Sequence, residues 1–214
     1  MSKVKVIVAL FLAALAVTAV VSASASAAEW FVAGKALGTG SKATLTSKAV
    51  VDEAAVLNVP GLEIKISCSG LSGTNPEIIG KDAGQATALT FESCSESSPA
   101  ACKLSSPTVV TEPITALVSK GTGTDDRVNF KPKTGKTFAT LTFTGETCSL
   151  RGEKGVNGQV LTDAPTGQTE LASQTLSGLG SVENVSLEIG GNHAYIEKGR
   201  ALLKLTSGSA WSFH

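Results

Sequence analysis

Side-chain catalysis needs a nucleophile with a base in hydrogen-bond reach, and at neutral pH that base is usually histidine. This chain has two histidines, His193 and His214. His193 follows Gly190-Gly191-Asn192, which reads as a turn, and His214 ends the chain, where fraying is expected. No Gly-x-Ser-x-Gly elbow accompanies them. Gly135-Lys136-Thr137 matches the tail of a phosphate-binding loop, but Phe130 stands where the first glycine of that loop belongs, and a hairpin turn accounts for the stretch better. Thr124-Asp125-Asp126 offers oxygens suited to calcium without the spacing of an EF-hand. Asn184-Val185-Ser186 is a glycosylation acceptor for a chain that passes through a eukaryotic secretory pathway. A glycosidase needs only two opposed carboxylates, which distant strands can supply without any motif. Such sites usually lie in aromatic clefts, and aromatic residues make up only 5% of this chain.

The four cysteines, Cys68, Cys94, Cys102 and Cys148, are the remaining reactive groups. Their spacing lacks a Cys-x-x-Cys pair, and two histidines are few for a zinc site. An even number of cysteines in an exported chain reads as disulfide staples. Four cysteines allow three pairings. The polar stretch between Cys94 and Cys102 predicts a local bridge, which leaves Cys68 with Cys148. The chain-entropy estimate is about 2.5 kcal/mol for the short loop and about 4.5 kcal/mol for the long one.

Export is read from the first residues. Lys3 and Lys5 precede an uncharged apolar run, residues 6–21, which has the layout of a secretory signal peptide and is short for a membrane span. Ala25-Ser26-Ala27 and Ser26-Ala27-Ala28 supply the small side chains that a signal peptidase requires, so cleavage is expected after Ala27 or Ala28. Residues 1–28 are thus assigned to the signal peptide and 29–214 to a single β domain, with a possible division into two sub-domains near residue 120. No membrane span is expected after cleavage.

Charge narrows the partners. Eighteen Lys and Arg balance eighteen Asp and Glu, and losing Lys3 and Lys5 leaves the mature chain slightly acidic. Nucleic acid and anionic membranes recruit clustered cations. The nearest approach to a cluster is Lys131-Pro132-Lys133-Thr134-Gly135-Lys136, which reads as a solvated turn. A mean hydropathy of +0.19 favours a packed chain over a disordered one.

The elements that must position these groups are strands. In Leu62-Glu63-Ile64-Lys65-Ile66-Ser67-Cys68 apolar and polar residues alternate with the period of a half-buried strand. The same alternation runs through residues 88–94 and 137–143. Residues 108–118, 127–131, 148–150, 158–162, 194–197 and 201–205 read similarly. Asn157-Gly158 is the strongest hairpin signal, because a type I′ turn needs positive φ at both central positions. Residues 47–57 are read as strand, turn, strand, although the alanine, glutamate and leucine of 50–57 also suit a short helix. Glu29-Trp30-Phe31-Val32 looks like the first strand of the mature protein. The scarce tryptophans near the two ends, Trp30 and Trp211, would bury well if first and last strands paired. With 22 glycines in the chain and frequent turns between short strands, this pattern predicts an all-β, antiparallel, disulfide-stapled sandwich or barrel-like fold.

Several segments together resemble an uncharacterised family of secreted bacterial β-rich proteins with a signal peptide and four cysteines. They are Glu29-Trp30-Phe31-Val32, Ile66-Ser67-Cys68-Ser69-Gly70, Phe91-Glu92-Ser93-Cys94 with Cys102-Lys103-Leu104, Phe130-Lys131-Pro132-Lys133-Thr134-Gly135, Phe143-Thr144-Gly145-Glu146-Thr147-Cys148 and Gly199-Arg200-Ala201-Leu202-Leu203. The resemblance implies an exported β protein and no activity. The leading expectation is therefore a secreted or cell-envelope protein with a structural or binding role. It has no catalytic, cofactor-binding or metal-binding residue and an extracellular or envelope partner of unknown kind. The glycine-rich segments 34–42 and 70–80 are the first places to look for that partner. The alternatives are a secreted hydrolase using two carboxylates, and an enzyme inhibitor that presents the constrained loop between Cys94 and Cys102.

Overall fold

The computed structural model describes residues 28–97, 102–120, 126–179 and 187–213. Within them all regular structure is β, apart from one 3-10 turn at Pro60–Leu62. The signal segment, His214, Thr124-Asp125 and the glycosylation acceptor lie outside the described residues.

The strands form two rings and a cap. The cap is β1 (Trp30–Val32), β2 (Lys35–Ala36) and, from the far end of the chain, β20 (Trp211–Phe213). The first ring contains β3 (Lys42–Ala49), β6 (Glu77–Ile79), β7 (Ala83–Ala86), β11 (Ile114–Lys120), β12 (Asp126–Pro132), β15 (Val160–Ala164), β16 (Ser173–Gly178) and β19 (Arg200–Leu205). Each of these strands pairs antiparallel with the next, and β19 returns to β3 through Leu205↔Leu45, so the ladder closes on itself.

The second ring contains β4 (Ala55–Val59), β5 (Ile64–Thr74), β8 (Ala88–Ser97), β10 (Val109–Val110), β13 (Thr137–Thr144), β14 (Gly152–Asn157), β17 (Leu187–Ile189) and β18 (Asn192–Lys198). Its ladder runs from β8 through β5, β4, β18, β17 and β14 to β13. The circuit returns to β8 by the Thr111↔Ala139 bridge and β10. A short β9 (Lys103–Leu104) pairs with β13. The Lys48↔Ser72 pair joins the rings. The expectation of an antiparallel, barrel-like all-β fold with two disulfides is met.

Strand alternation explains why two cores exist. Within β3, Leu45 points into the first ring while Thr44 and Thr46 face solvent; within β5, Ile64, Ile66 and Cys68 are buried and Lys65 is exposed. One core gathers Leu45, Ile78, Val118, Val128, Leu176 and Leu205 with the cap aromatics. The other gathers Ile64, Ile66, Leu141, Phe143, Leu187 and Ile189 among others, and Phe130 packs against both. The chain visits the rings in turn, so strands from both sides of residue 120 build each core.

Two expectations about connections fail here. Asn157-Gly158 makes a turn, with Gly158 at φ +115°, but β14 pairs with β13 and β17 while β15 pairs with β12 and β16, so the turn carries the chain from one ring to the other. The turn at residues 133–136 does the same between β12 and β13 and is no hairpin. Residues 148–150, read as a strand, form a turn. Other expectations hold: residues 47–57 fold as strand, turn, strand, with β3 ending at Ala49, a turn at Val51-Asp52 and β4 beginning at Ala55, and the first and last strands pair through Trp30↔Phe213 and Val32↔Trp211.

The disulfide pairing differs from the one expected. Cys68 bonds Cys94 and Cys102 bonds Cys148, with Cα separations of 3.9 and 4.6 Å. The β5–β8 ladder, continuous in register from Lys65↔Ser97 to Thr74↔Ala88, places Cys68 directly opposite Cys94. Closure entropy grows only with the logarithm of loop length, so the convenience of a short loop is easily overridden by strand register. A bridge also requires Cα atoms closer than about 7 Å, which the ladder supplies to this pair.

Candidate functional site

Eight strands enclose a barrel interior just wide enough to be filled by side chains or to hold one small ligand. In the first ring, several inward positions carry little or no side chain. Ser47 and Ala49 on β3, Gly84 on β7, Ala116 on β11, Thr162 on β15 and Ala201 on β19 all line the same space. Gly84 pairs directly with Ala116 across the β7–β11 ladder, so this stretch of wall presents a single methyl group. The result is a cavity of about 170 Å³, walled almost wholly by apolar atoms and partly open to solvent.

Its floor is the cap. Trp30, Trp211 and Phe213 pack with ring centroids 5.0 to 6.4 Å apart. The Trp30 indole N–H donates to Ala83 O at 2.7 Å, which ties β1 to the barrel wall. Gln174, fully buried, donates from Nε2 to Trp211 O at 2.7 Å and to Thr169 O at 2.8 Å, which fixes β20. The opposite end is covered by residues of the second ring, among them Phe91, Phe138 and Ile196. The Cys68–Cys94 bridge stands behind this roof, with Cys68 itself on the wall.

Charged residues among the lining are Glu53, Glu77 and Arg200. Glu77 is occupied: Lys42 donates to it at 2.8 Å and Gln85 at 3.0 Å, and these hydrogen bonds, Lys42 first, hold its carboxyl below the ordinary range against a smaller opposing effect of burial. Arg200 Nη1 meets Glu53 Oε1 at 2.9 Å, with both side chains substantially exposed. Local structure sets this pair. Gly199 holds φ +138° and lies so close to β4 that a Cβ there would sit 2.7 Å from the Ala55 Cα, and Val50 N donates to Arg200 O at 3.0 Å. The turn before β4 is thereby pinned beside the start of β19.

The residues singled out by sequence lie elsewhere. His193 is exposed on β18, its ring 6.0 Å from that of Tyr195. Lys136 sits in the exposed turn before β13, and Asp126 is buried in β12 with Gln168 Nε2 at 3.5 Å from its carboxylate. These groups are not brought together at the cavity. Among the described residues no group of three or more His, Cys, Asp or Glu is placed to hold a metal ion. The Cys94–Cys102 loop proposed for an inhibitor is not closed by a bond between those residues. Part of the 70–80 segment does reach the site, where Gly70, Leu71, Pro76 and Ile78 form wall. Sequence reasoning missed the rest because a small residue at an inward strand position looks like any small residue. The available signal was the clustering of Ala, Gly and Ser at alternate positions in residues 47–49, 84–86 and 199–201.

Comparison of the chain with protein-family models, with curated proteins and with solved structures finds no match.

Proposed function

We propose that this chain is an exported binding protein without a catalytic role, and that it takes a small apolar ligand into the cavity of its first ring. The cavity carries the reading: about 170 Å³ of partly open, apolar space in the first ring where it meets the second. Packed interiors rarely leave voids larger than a water molecule. An apolar cavity of about 150 Å³ stays dry and admits benzene, so a ligand of one ring or about six to eight carbons suits this one. Export is supported by Lys3, Lys5 and the apolar run of residues 6–21, and by two disulfides, which persist in oxidising compartments.

The test is thermal unfolding of the mature protein with and without a panel of small apolar compounds. A compound present at about 100 times its dissociation constant contributes about 2.7 kcal/mol and should raise the midpoint by about 5–10 °C. No shift with any compound would remove the reading. Turnover of glycan or peptide substrates would replace it with the hydrolase.

A further inference from the structure

We propose that the ligand is an amphiphile with a terminal carboxylate, whose apolar part enters the barrel and whose headgroup takes Arg200 in place of Glu53. This rests on the binding function proposed above and names the class of ligand.

Among the described residues that line the cavity, Arg200 is the sole cation. Arg200 and its partner Glu53 both border the cavity, beside Ala55 and Ala201 of its apolar wall. The protein partner of that guanidinium is a carboxylate, Glu53, held by the single Nη1–Oε1 contact at 2.9 Å. Both side chains are about two-fifths exposed, at 45% and 38%, and an exposed pair of this kind is held weakly. A guanidinium presents five donors in a planar fork that matches a carboxylate bidentately. An incoming carboxylate can therefore replace Glu53 bond for bond, or join it on the unused N–H groups. The other acid on the lining, Glu77, already accepts from Lys42 and Gln85 at Oε2, so its charge is compensated from within the protein. The same geometry would let an ammonium headgroup pair with Glu53 in place of Arg200, and octylamine distinguishes the two headgroups.

The experiment is calorimetric titration of the mature protein with octanoate, methyl octanoate and octylamine. The ester reports on the cavity alone and the acid adds the headgroup. Octanoate is expected to bind about tenfold more tightly than its ester at low salt, with the advantage shrinking as ionic strength rises. Arg200→Gln should abolish the advantage while leaving the ester unchanged, which also shows that the variant is folded. Glu53→Gln should tighten octanoate binding further. Equal affinity for acid and ester, a preference that survives Arg200→Gln, or tighter binding of octylamine would each overturn the proposal while leaving the cavity reading intact. Failure of all three compounds to bind would overturn both.

Discussion

Gly199 shows how a single residue positions the rim. Its φ of +138° is a backbone state that side chains rarely adopt, and an added Cβ would also strike the Ala55 backbone at 2.7 Å. Gly199→Ala should cost about 1–3 kcal/mol or more in urea unfolding, because strain and collision act together. A control at Gly135, whose φ is also positive but which has open space around it, should lose less. A second residue-scale expectation concerns Glu197. The hydrogen bond from Lys65 outweighs the opposing effect of burial and holds its carboxyl below the ordinary range, with Asn58 Nδ2 adding a further contact at 2.9 Å. A depressed carboxyl pKa stabilises the fold at pH values above the ordinary carboxylate range, and that stability is lost as pH falls through the lowered value. Lys65→Met should move the Glu197 titration upward in a carboxyl-detected NMR experiment, and unchanged titration would refute the pairing. At this scale the sequence was partly legible. Two cysteine pairs were expected and occur, but their partners depend on strand register, which the spacing of Cys94 and Cys102 does not encode.

Strands were legible and their partners were not. The alternation in residues 62–68 and 137–143 reflects which side chains face a core, a property each strand carries locally. A turn such as Asn157-Gly158 encodes a backbone reversal but not the ring to which the chain returns, and here it leads from β14 into the other barrel. The terminal tryptophans were informative because large aromatics in a chain poor in them must be buried somewhere. Trp211, fully buried, forms part of the floor, and Trp211→Ala should cost about 3–5 kcal/mol, measured by chemical unfolding. The disulfides tie neighbouring segments of the second ring, β5 to β8 and the start of β9 to the turn after β13. With sequence separations of 26 and 46 residues, the chain-entropy estimates are about 3.5 and 4 kcal/mol. Peptide mapping of the oxidised protein should recover Cys68 joined to Cys94 and Cys102 joined to Cys148. A Cys94–Cys102 peptide would contradict the β5–β8 register.

At the scale of the whole molecule, two rings share one polypeptide by exchanging it repeatedly, and the space left at their junction is what the fold offers to a ligand. Alternating small residues are the one local sign of this space, and they do not locate it, because it arises from six small inward residues supplied by five different strands. Filling it separates binding from stability. Ala116→Leu adds apolar bulk where space already exists, so it should preserve stability or raise it by about 0.5–2 kcal/mol while blocking ligand entry. The most direct measurement is an isotope-filtered NMR experiment on the mature protein with a small apolar ligand, reading transfer between ligand protons and the methyl groups of Leu45, Leu176 and Leu203. The account expects contacts to these three residues in the wild type and none in Ala116→Leu. Contacts confined to exposed residues such as Val51 or Val110, or contacts that survive the filled cavity, would contradict it.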